Sequence, residues 1–137
     1  MKVSDLLKQY AMLPQVGALA DTLGKKSVKT IFLEGLLCSS APMLFAALSG
    51  KLKTPVLFVL QDADEAGYFY HDLVQLLGDK KVLFYPSSYR RAVKYAQRDA
   101  ANEILRTEVL AKLSTDNCQL FVVSYPEKRE NLLFNQE

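Results

Sequence analysis

Tryptophan is absent from this chain of 137 residues, histidine occurs once and cysteine twice. Cys38 and Cys118 lie far apart, flanked by small or apolar residues, and His71 is the single additional soft ligand. That is too few for a four-ligand zinc site, and the pattern reads as buried, reduced thiols in a cytosolic protein rather than a disulfide framework. No apolar run approaches the roughly 20 residues that a membrane-spanning helix needs. A strong charge of either sign is also missing: the formal net charge is +2, which gives no electrostatic case for nucleic acid by itself. Six glycines and five prolines are scattered without repeat or low-complexity tract. The start, Met1-Lys2-Val3-Ser4-Asp5, carries no secretory pattern, and the expected location is cytoplasmic. What is present is a composition half hydrophobic and 23% charged, suited to one domain with a sizeable core.

Another absence is more specific. Phe32-Leu33-Glu34-Gly35-Leu36-Leu37-Cys38-Ser39-Ser40-Ala41-Pro42 occupies the place of a phosphate-binding loop, between an expected strand and an expected helix. A working loop reads G-x-x-x-x-G-K-[ST]: glycine lets backbone N–H groups approach phosphate, lysine neutralises it, and the hydroxyl binds magnesium. Counted from Gly35, the last three places hold Ser40, Ala41 and Pro42. Lysine and the magnesium-binding hydroxyl are gone, and proline removes an N–H donor. An NTPase-like frame without nucleotide chemistry points to a docking or regulatory domain, with no cofactor and no catalytic residue. Two readings of the degenerate loop Gly35, Ser39, Ser40, Ala41 and Pro42 stand side by side: weak phosphate or sulfate binding through backbone N–H groups at the helix start, or no more than a tight strand-to-helix turn.

Hydrophobic periodicity places the elements. Ser4 is positioned to cap a first helix carrying Leu6, Leu7, Tyr10 and Leu13; Pro14 interrupts it, and a second helix with Val16, Leu19, Ala20 and Leu23 runs to Gly24. Residues 28–33 are rich in β-branched and aromatic side chains and read as a strand. Residues 41–49 read as a helix with Ser40 as cap and Gly50 as stop. The unbroken run Val56-Leu57-Phe58-Val59-Leu60 fits a parallel strand covered on both faces, and is expected to be the most buried one. Asp62 with Glu65 begins a further helix in capping-box style, with Ala66, Phe69, Tyr70, Leu73, Leu76 and Leu77 on one face and Gly78 at its end. Residues 82–85 form the next strand, residues 95–113 a long helix with Ala101, Ile104, Leu105, Val109 and Leu113 inward, and residues 119–124 the last strand. Strands alternating with helices predict a three-layer α/β fold, a parallel sheet flanked by helices.

Other candidate sites are few. Arg90, Arg91, Lys94 and Arg98, interleaved with Tyr89 and Tyr95, make the concentrated basic patch, which reads as a solvated loop and helix amino-terminal turn, as a weak, salt-sensitive site for single-stranded nucleic acid, or as an interdomain contact. Asp62, Asp64 and Glu65 resemble an acidic metal cluster, but a helix start favours capping and dipole compensation. His71 beside Asp72 has no nucleophile that the sequence identifies.

The order of segments resembles a known family. Gly35-Leu36-Leu37-Cys38-Ser39-Ser40, Thr54-Pro55-Val56-Leu57-Phe58-Val59, Asp64-Glu65-Ala66 and Asp72-Leu73 are similar to the amino-terminal, UvrB-like module of bacterial transcription-repair coupling factors (Mfd). Lys81-Val82-Leu83-Phe84-Tyr85-Pro86, Asn102-Glu103-Ile104-Leu105-Arg106-Thr107 and Leu120-Phe121-Val122-Val123-Ser124-Tyr125-Pro126 continue the likeness. The resemblance implies a degenerate P-loop NTPase subdomain of RecA or helicase type, matching UvrB domain 1a at residues 28–127. A helical segment at 1–27 would pack on it, and residues 128–137 would be a terminal tail, similar in part to a protease-tag scar. It implies a non-catalytic piece of a protein that couples transcription to nucleotide excision repair. That protein's ATP-driven DNA translocase motor, its contacts with RNA polymerase and DNA, and its main UvrA contact would all lie outside this chain, making it an excised or truncated piece. Its partners would be the other domains of the parent and, through them, UvrA. Two rivals stand beside this reading: a nucleotide-dependent, helicase-like ATPase with an unusual loop, and an α/β module binding single-stranded DNA through the patch at Arg90.

Overall fold

The computed structural model describes residues 2–88, 99–115 and 120–126. Among these described residues eight elements follow in order: α1 (Val3–Ala11), α2 (Pro14–Leu23), α3 (Ser40–Leu48), β1 (Val56–Val59), α4 (Ala63–Leu77), β2 (Val82–Tyr85), α5 (Ala100–Thr115) and β3 (Phe121–Ser124). The sheet is parallel, with strand order β1-β3-β2. Phe121 pairs with both Val56 and Val82, and Ser124 with both Val59 and Tyr85.

The layers follow from this order. The chain crosses from β1 over β3 to β2 through α4, then returns to β3 through α5. Two right-handed crossovers running in opposite directions put their helices on opposite faces. Accordingly, Ala66 and Leu73 of α4 pack on Val82, Phe121 and Val123, whereas Val109 of α5 packs on Leu83, Leu120 and Val122. The sheet is thus α/β with helices on both faces, as the alternation of elements predicts. A second core joins α2 to α3 through Val16, Leu19, Leu44, Ala47 and Leu48. Phe58 links the two cores, its ring centroid 4.9 Å from that of Phe45 on α3 and 4.9 Å from that of Phe69 on α4.

Several expectations are corrected. Residues 28–33 form no strand: Val28 N–H turns back to Lys25 C=O, and residues 29–36 make no backbone hydrogen bond. Their side chains favour a sheet, but no neighbouring strand among the described residues supplies the ladder. β1 is not the most buried strand. It lies at an edge, paired with β3 alone, and α5 leaves its far face open, so Leu57 is 62% and Val59 64% exposed. The central strand β3 takes that role, with Phe121, Val122 and Val123 all buried. On α5, Val109 is buried while Ala101, Ile104, Leu105 and Leu113 are exposed, because the helix rests on a narrow strip of β2 and β3. Its expected first residues, 95–98, lie outside the described ones. Ser4 sits inside α1; Lys2 holds the cap position and its N–H donates to Asp5 Oδ2 at 3.3 Å.

Candidate functional site: the turn into α3

The turn is built from residues with unusual backbone needs. Gly35 adopts φ +80° and Cys38 φ +50°, the left-handed region that reverses a chain within a few residues. Cys38 is exposed there, contrary to the expected buried thiol; Cys118 lies outside the described residues. α3 begins at its expected cap, one residue earlier than predicted. Ser39 takes the cap position, Ser40 is the first helical residue, and neither hydroxyl caps the helix. The Ser40 Oγ is buried without a hydrogen-bond partner. The Ser39 hydroxyl instead donates to Asp72 Oδ2 of α4 at 2.7 Å.

This geometry opposes phosphate binding for three separate reasons. An anion at a helix start needs free N–H groups, but Ser40 N–H already donates to Leu37 C=O at 3.0 Å and Pro42 has none. The lysine place is Ala41, part of the first helical turn. Finally, the Asp72 carboxylate stands at the positive end of the α3 dipole, where it repels a second anion. Sequence reasoning missed that role for Asp72, because the pairing spans distant parts of the chain.

The remaining candidates separate from this turn. Asp62 Oδ1 accepts from Asp64 N–H at 3.0 Å and Glu65 N–H at 2.9 Å, while Glu65 Oε2 accepts from Gln61 N–H at 3.0 Å. These carboxylates serve the start of α4, and no three metal-binding side chains converge among the described residues. His71 is exposed on α4. Arg90, Arg91, Lys94 and Arg98 lie outside the described residues. The flanks of that segment are tied together: Asp99 N–H donates to Ser88 C=O at 2.9 Å, Asn102 Nδ2 to Ser87 C=O, and Arg106 to Pro86 C=O. Arg106 also stacks on Tyr85, its Cζ 4.1 Å from the ring centroid, and Ser87 N–H donates to the Tyr125 hydroxyl. These bonds fix the carboxyl ends of β2 and β3, the side where open α/β sheets hold their functional loops.

No helix among the described residues is long and apolar enough to cross a membrane. Family models, curated proteins and solved structures yield no match to this chain.

Proposed function

We propose that the chain is a non-catalytic interaction subdomain, the first part of the UvrB-like module of a transcription-repair coupling factor. The observation that carries this reading is the turn into α3. It stands where the family resemblance places a decayed phosphate loop, and its chemistry is unsuited to nucleotide: one amide spent, one missing, no lysine, and a carboxylate at the helix start. The order of the motifs along the chain and the parallel α/β sheet support the same reading. Function here is binding geometry: the subdomain presents surfaces to the motor and repair domains that the resemblance implies in the parent, and makes or breaks no bond. The helicase-like alternative needs a charge beside the triphosphate that no residue of this turn provides.

The test is a surface-plasmon titration against UvrA, with this chain alone and with the family's following subdomain appended. The expected result is little binding by the chain alone and clear binding by the longer protein, since the resemblance puts the main UvrA contact in that following subdomain. Sub-micromolar binding by the chain alone, abolished by Arg90→Ala with Arg91→Ala, would place the docking surface here and overturn the assignment.

A further inference from the structure

We draw no further inference here: the strongest candidate, the open groove of about 240 Å³ along the outer edge of β2 between α4 and α5, carries charges of both signs at Asp79, Lys80, Glu108 and Lys112, and nothing in the structure shows what covers it.

Discussion

Mg-ATP should bind this chain no tighter than about 1 mM, a free energy of only about −4 kcal/mol. The argument turns on charge at the start of α3. Asp72 Oδ2 accepts the Ser39 hydroxyl at 2.7 Å, so a phosphate seated in the turn would sit within about 5 Å of a carboxylate. At that separation two unit charges repel by about 1 kcal/mol in a water-like medium and about 3 kcal/mol at an effective dielectric of 20. The hydrogen bond is exposed, which places the repulsion near the lower figure, about fivefold in affinity. Asp72→Asn should therefore gain about fivefold and remain weak, because Ser40 N–H is still bonded to Leu37 C=O and Pro42 still lacks a donor. Combining it with Ala41→Lys should gain more than either alone. The same Asp72→Asn change removes a carboxylate from a helix start and should lower stability by about 0.3–1 kcal/mol. Isothermal titration with Mg-ATP reads the first effect and urea denaturation the second. A micromolar constant or any turnover by the unmodified chain would refute the reasoning.

Replacing Asp62 by Ala removes the acceptor of two amides at the start of α4 and should cost about 1 kcal/mol in urea denaturation. Phe121→Ala, at a fully enclosed site in the central strand, should cost about 3–5 kcal/mol, whereas Val59→Ser on the uncovered face of β1 should stay within about 0.5 kcal/mol. A reversed order would mean that β1, not β3, is central. Arg106→Ala loses the bond to Pro86 C=O and the stack on Tyr85; it should cost about 1–2 kcal/mol and raise hydrogen exchange at residues 87 and 88.

Local chemistry made much of the fold legible. The Asp62 cap, Gly78 at φ +85° and Pro14 in the first turn of α2 mark their helix ends through short-range backbone needs that hold whatever the tertiary context. Three apolar runs became strands because each also met a partner strand in the parallel sheet. Burial was less legible, because it depends on strand order, which no local pattern encodes. Val56 to Leu60 has the composition of a doubly covered strand, yet α5 packs over β2 and β3 and leaves Leu57 and Val59 in the open. Equally, strand propensity in residues 28–33 is a statement about side chains, and a ladder needs a second backbone.

The candidate site divides along the same line. What the turn into α3 lacks was readable at Ser40, Ala41 and Pro42, since a missing lysine or N–H group is a property of one residue. What the turn contains was not, because Ser39 meets Asp72 only after α3 and α4 have packed together. The consequence is that an empty phosphate loop and a loop already occupied by its own carboxylate look alike in sequence, but differ in what repairs them. Restoring the lysine, the hydroxyl and the N–H donor would repair the first. In this chain the Asp72 carboxylate stands at the start of α3, so anion binding should need its loss besides Ala41→Lys.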